Sequence, residues 1–257
     1  MTMLRSRIIP SLLLHQGGLV KTCQFKESKY VGDPLNAVKI FNEKEVDELM
    51  FVDIDATMQN REPNMPLLRS LAIESRMPLC YGGGVTRADQ AARIVSTGFE
   101  KVSISSAALA KPSLIKEMSE AIGAQSVVVT LDVKANRLFS GYTIYTHNGK
   151  QKHKQPLLEF CQQAVELGAG EIVINSIDRD GEMAGYDLEL ARQVRSVIDT
   201  PMTMLGGAGS IDHMQSLIDT VGVVGAAAGS MFVFKGPYRA VLINYSRPAQ
   251  LCGQAKP

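Results

Sequence analysis

Two glycine clusters, each between a short apolar run and a helical pattern, constrain this chain most. Leu79-Cys80-Tyr81 leads into Gly82-Gly83-Gly84, and Pro201-Met202-Thr203-Met204-Leu205 leads into Gly206-Gly207-Ala208-Gly209-Ser210. Each cluster is followed 24 residues later (106 − 82 = 230 − 206 = 24) by a serine, Ser106 and Ser230. Other stretches echo each other as well: Ile8–Leu14 with Val127–Val133, and Asp47–Asp55 with Gly170–Asp178. Such self-similarity is the mark of a duplicated half-structure. Glycines between a strand and a helix let backbone N–H groups approach an anion, and a helix N-terminus favours negative charge. A turn of this kind also serves as a plain strand-to-helix connection. The repetition favours two phosphate cradles and a substrate with a phosphate at each end.

Strand and helix patterns alternate throughout. The predicted strands are Arg7–Leu14, Glu48–Ile54, Leu79–Tyr81, Lys101–Ile104, Ser126–Val133, Glu171–Asn175, Pro201–Leu205 and Gly222–Ala227. Helices are predicted over Asp33–Asn42, with Asp33 as cap and Pro34 in the first turn, over Met65–Arg76, Thr86–Thr97, from Pro112, and over Leu157–Leu167, Asp187–Val197 and Ile211–Ile218. A short one starts at Gly229-Ser230. Gly17–Val31 reads as a long loop carrying Lys21, and Arg137–Lys152 as a hairpin turning at Asn148-Gly149. Pro237–Tyr245 closes the fold, and the tail Arg247–Pro257 reads as loose. Eight such units in 257 residues predict an α/β chain with a single (β/α)8 TIM barrel domain over residues 1–257. It is built from two similar half-barrels, with a small hairpin insert after strand five. A doubly wound sheet is the alternative, but no G-x-G-x-x-G follows the first strand.

The formal charge of +1 gives no footprint for nucleic acid. No apolar run is long enough to span a membrane and no signal peptide is read, so the expectation is a cytoplasmic protein. The cysteines at 23, 80, 161 and 252 are far apart, which argues against a zinc site or a disulfide framework. The histidines at 15, 147, 153 and 213 show no ligand spacing and read as solvated or locally bonded, with no His-based triad. No metal site is expected. The charges Arg7, Glu48, Lys101 and Glu171 open otherwise apolar strands. Such charges are costly unless paired, and two cations with two anions could close a neutral ring.

Gly18-Leu19-Val20-Lys21, Gly32-Asp33-Pro34, Asn175–Gly181, Gly185-Tyr186-Asp187 and Gly206–Gly209 resemble the cyclase subunit of imidazole glycerol phosphate synthase, over about residues 4–245. The resemblance implies a barrel that binds a doubly phosphorylated substrate at its C-terminal face. It implies a glutaminase subunit docked at the N-terminal face, with ammonia passing through the barrel and no cofactor. The family's ammonia gate maps onto Arg7, Glu48, Lys101 and Glu171. Phosphate contacts map onto Gly83, Gly84, Ser105 and Ser106, and onto Asp180, Gly181, Gly206, Gly207, Gly209, Gly229 and Ser230. Lys21 lies in the loop that covers substrate, and Asp53 and Asp55, ending strand two, on the substrate face.

The family cyclises its substrate with two aspartates, one ending strand one and one ending strand five. The second is Asp132, but the first position holds Leu13, which cannot transfer a proton. The family's asparagine after strand four is Ser105 here, and its serine before the second glycine pair is Leu205. The gate is thus kept and the catalytic face altered. This is similar to cyclase paralogues found with surface-polysaccharide genes. The preferred expectation is a subunit relaying ammonia for amidination of a surface-polysaccharide sugar, together with an ATP-dependent sugar amidotransferase. The alternatives are a genuine cyclase of histidine biosynthesis and a non-catalytic scaffold that activates the glutaminase.

Overall fold

The computed structural model describes residues 5–136 and 140–245. In chain order, β1 (Arg7–His15) runs into a hairpin of β2 (Gly18–Thr22) and β3 (Ser28–Gly32), followed by α1 (Pro34–Glu43) and β4 (Leu49–Asp53). Next come α2 (Met65–Glu74), β5 (Leu79–Gly82), α3 (Ala88–Ser96), β6 (Lys101–Ile104), α4 (Ser106–Ala110) and α5 (Ser113–Ile122). Then follow β7 (Val127–Ala135), the pair β8 (Tyr142–Thr146) and β9 (Gln151–Pro156), α6 (Leu157–Glu166), β10 (Glu171–Ser176) and α7 (Leu188–Arg195). The chain ends with β11 (Met202–Leu205), α8 (Ile211–Val221), β12 (Gly225–Ala228), α9 (Ser230–Val233) and the ribbon β13 (Phe234–Lys235) with β14 (Ala240–Val241).

Eight parallel strands pair in the order β1-β4-β5-β6-β7-β10-β11-β12, and β12 returns to β1 with Arg7 opposite Gly225. This closed barrel leaves no free edge among its central strands. The predicted helices follow from their ends as much as from periodicity. Asp33 accepts from the Asn36 amide and Pro34 sits in the first turn of α1, whose buried stripe is Pro34, Ala37, Val38 and Phe41. Asp187 caps α7 through Leu190, and Ser210 caps α8 through His213.

Apolar side chains fill two compartments. The larger lies between the strands and the helices. The smaller lies inside the barrel and contains Ile9, Met50, Cys80, Val128, Val173, Leu205 and Ala227.

Two connections differ from the sequence expectation. Gly17–Val31 is not a loop: Gln16 and Gly17 take positive φ, the chain reverses, and β2 pairs antiparallel with β1, Leu13 facing Val20. Lys21 within β2 and Lys29 within β3 interrupt the apolar pattern by which a strand is read. A short helix, α4, also precedes the one predicted from Pro112. The insert after the fifth barrel strand is the expected hairpin, β7 pairing with β8 and β8 with β9. Arg137, where that insert was expected to begin, and the tail Arg247–Pro257 lie outside the described residues.

Close packing inside the barrel gives a stability test. A Cβ on Gly225 would lie 1.8 Å from Thr203 Oγ1 and 3.1 Å from Ile9 Cδ1. Thr203 is β-branched and its hydroxyl is held by Glu171, so it has little freedom to move. Gly225→Ala should therefore lower the unfolding free energy by about 1–3 kcal/mol, measured by urea denaturation.

Candidate active site

At the N-terminal end of the barrel the four expected charges meet. Arg7 bonds Glu48 through Nη1 and Glu171 through Nη2, the latter at 2.7 Å. Lys101 Nζ lies 2.8 Å from Glu48 Oε2 and 2.8 Å from Glu171 Oε2. Each cation touches both anions, so the ring is closed and neutral. Glu48 and Glu171 are only 5% and 3% exposed. Burial opposes the charge on Arg7 and Lys101, but Glu171 and Glu48 outweigh it and hold both pKa values above their ordinary range. Burial likewise pushes Glu171 upward, yet Arg7 and Lys101 prevail and draw its pKa below the usual carboxylate range.

Above the barrel's inner apolar residues, a cavity of about 310 Å³ reaches the C-terminal face. Its deeper lining includes Met50, Leu205 and the hydroxyl pair Ser103–Thr130, whose oxygens are 2.6 Å apart. Leu13 and Asp132, the two positions paired by the internal repeat, both line it. Asp132 accepts from Asn175 Nδ2 at 2.9 Å. Being surrounded by protein raises the Asp132 pKa, the Asn175 bond lowers it and Asp180 raises it, leaving the carboxyl at about 7. The side chain is partly open to the cavity, so it meets both protein and solvent. A carboxyl poised near neutrality in a cleft suits proton transfer.

The two expected cradles fare differently. Gly83, Gly84, Ser105 and Ser106 line the cavity, and the Ser105 hydroxyl is buried there without a partner. Of the second set, Asp180 and Gly229 line it, whereas Gly181, Gly206, Gly207, Gly209 and Ser230 do not. Their absence has a packing cause. A Cβ on Gly207 would lie 2.1 Å from Gly185 O, and one on Gly209 would lie 2.3 Å from Met183 O. The Gly209 amide donates to His213 Nδ1 at 3.1 Å. Lys21, read as a loop lysine, is 6% exposed and lies over Gly229, where a Cβ would come within 2.7 Å of its Cε. Its ammonium is 2.6 Å from Asp180 Oδ1, and Thr22 Oγ1 donates to Asp180 Oδ2. The β2–β3 hairpin thus closes the second region. Asp53 lines the cavity and accepts from the Asp55 and Ala56 amides, fixing the turn after β4.

Asp55, expected with Asp53 on the substrate face, lines the cavity, and so do His15 and His147, expected as solvated or locally bonded, and Asn148 of the hairpin turn. His15 Nδ1 lies 2.7 Å from Asp55 Oδ1, and the Gln16 amide donates to Asp55 Oδ2 at 2.8 Å. His147 and Asn148 come from the β8–β9 turn, and Asn148 Nδ2 reaches Ile54 O across the mouth. The strand period supplied one usable signal: Leu13 and His15 are two apart on β1 and so share a face.

Two measurements check these electrostatics. Glu171→Gln should lower stability by about 2–4 kcal/mol by urea denaturation, because two partly buried cations would then share one buried carboxylate. Glu171 titrates lower in the folded than in the unfolded chain, so its contribution is present above its unfolded pKa of about 4.3 and is lost as pH falls. The stability of the variant should respond less to acidification below that point. Asp132 has the opposite sign. Its carboxyl should titrate near pH 7 by ¹³C NMR, and its ionisation should cost stability as pH rises from about 4 towards 7. Asp132→Asn should abolish the titration and gain relative stability at alkaline pH.

A family model described as histidine biosynthesis protein matches residues 7–238. A Leptospira borgpetersenii protein provisionally named imidazole glycerol phosphate synthase subunit HisF is 54% identical over 243 residues, covering 95% of this chain and 96% of that one. A Pseudomonas aeruginosa protein provisionally named subunit hisF2 is 49% identical, covering 95% and 96%. The imidazole glycerol phosphate synthase subunit HisF of Lysinibacillus sphaericus is 37% identical, covering 95% and 97%. With this similarity, the closed barrel and the paired half-barrel positions in view, the chain belongs to the histidine-biosynthesis protein family, in its HisF-type imidazole glycerol phosphate synthase subunit branch.

Proposed function

We propose that this chain is the ammonia-accepting subunit of a glutamine amidotransferase, with a glutaminase subunit docked at the N-terminal barrel face. Ammonia passes the Arg7–Glu48–Lys101–Glu171 ring and meets its acceptor at the C-terminal mouth. The acceptor is a phosphorylated small molecule whose phosphate sits at Gly83, Gly84, Ser105 and Ser106. The observation that carries this reading is the contrast between the two ends. The ring is complete, whereas Leu13 and Leu205 place aliphatic surface in the cavity. A site built for two-carboxylate cyclisation would pair Asp132 with a carboxyl at position 13. The finer reading follows from that contrast: the nitrogen serves amidination of a surface-polysaccharide sugar, carried out with an ATP-dependent amidotransferase at the mouth.

The second reading is a cyclase of histidine biosynthesis, and Asp132 with its pKa of about 7 favours it. A scaffold that only activates the glutaminase would tolerate loss of the ring charges without loss of nitrogen transfer.

The deciding experiment supplies glutamine, the glutaminase and the histidine-pathway substrate. The native chain should give no appreciable cyclisation, and Leu13→Asp should raise the rate on the order of 10²-fold, the usual contribution of one acid–base group. Ready turnover by the native chain would install the cyclase reading instead.

A further inference from the structure

β1 loses one proton-transfer group at Leu13 and presents another two residues on. Leu13 and His15 share a face of the strand, and both line the mouth cavity. Asp55 holds His15 by one carboxylate oxygen, 2.7 Å from Nδ1, while its other oxygen takes the Gln16 amide at 2.8 Å. Asp55 is 7% exposed and is itself fixed, its amide donating to Asp53 Oδ1. Among the described residues, no hydrogen bond engages His15 Nε2. A carboxylate on Nδ1 selects the tautomer with the proton on Nδ1 and leaves the Nε2 lone pair available. This is the arrangement by which an imidazole is oriented as a general base.

We propose that His15, oriented by Asp55, is the general base of the mouth cavity, standing in for the carboxyl that Leu13 removes from this half of the barrel. The proposal rests on the reading that ammonia meets its acceptor at this mouth. Whatever the acceptor, ammonia attacks an electrophilic carbon with its lone pair, and a C–N bond forms. The nitrogen then carries one proton too many. That proton passes to His15 Nε2. The electron pair displaced from carbon goes to the acceptor's oxygen, which leaves as an activated oxyanion or takes the proton of Asp132, the carboxyl of the opposite half. Other charged or titratable groups lining the cavity are Asp53, Lys21, Lys26, His147 and Asp180. Lys21 is engaged by Asp180, and His147 is held by Thr146 Oγ1 at 2.9 Å. His15 is the imidazole in this lining that pairs with a carboxylate.

The test needs no natural acceptor. 5-Nitrobenzisoxazole is a flat, neutral reporter of general bases: loss of its C3 proton to a base breaks its N–O bond and releases a coloured phenolate. The full chain should accelerate this elimination. His15→Gln should lower the catalysed rate on the order of 10²-fold, and Asp55→Asn should lower it while keeping the imidazole. His153→Gln, an imidazole of the insert outside the cavity lining, should leave it within about twofold. ¹⁵N NMR of the imidazoles should show His15 protonated on Nδ1 in the native chain and a mixed tautomer in Asp55→Asn. A reporter rate that does not drop in His15→Gln, including a native rate no higher than that of the variant, overturns the proposal. So does an Nε2-protonated tautomer in the native chain. Absence of nitrogen transfer with the reporter rate intact would instead remove the ammonia reading and leave His15 as a base.

Discussion

Four charges gathered at the N-terminal end of the barrel, beside its inner apolar residues, are tolerable only as a set. Each carboxylate of the ring is nearly out of contact with water, and each is offset by two cations, with Thr203 adding a donor to Glu171. Desolvating a lone charge costs several kcal/mol, so removing any one member turns its neighbours into liabilities. The ring also joins β1, β6 and β10 with the residue before β4, strands spread around the barrel. It closes the cylinder at one end while the cavity opens at the other. That polarity governs every functional reading of the molecule.

The mouth is assembled from connections rather than from the barrel alone. The β2–β3 hairpin brings Lys21 over Gly229 and latches it to Asp180. The Gln24 amide bonds to Asp180 O at 2.9 Å, and Arg239 Nη2 donates to Gly181 O at 2.9 Å, so the C-terminal ribbon secures the same loop. From the other side, the β8–β9 turn sets His147 and Asn148 against the end of β4. These segments give the cavity His147 and close the second glycine region. The first glycine region stays open, and Ser105, which lines the cavity beside it, has a buried hydroxyl with no partner. The internal repeat is therefore nearly symmetric in its strands and asymmetric in its access.

Much of this was legible beforehand, and the reasons differ from part to part. Strands that are buried on both sides read as continuous apolar runs, so all eight were placed with small errors at their ends. Caps such as Asp33 and Asp187 act locally and could be read one residue at a time. The ring could be anticipated because a charge opening an apolar strand demands partners. The β2–β3 hairpin could not, since its lysines break the alternation and the strand is stabilised by pairing with β1. The pairing of His15 with Asp55 was not legible, because the two lie 40 residues apart and no spacing rule links them.

By itself the sequence determined the barrel, its duplication, the four ring charges and the loss of a carboxyl at position 13, because each depends on residue type at a strand position. Only the tertiary structure decided which glycines face the cavity and which are needed for backbone contact. It also decided that Lys21 is buried against Asp180 and that Asp55 fixes the imidazole beside Leu13. Those outcomes depend on distances between segments far apart in the chain. A single sequence records what each segment can offer, and the fold records which offers meet.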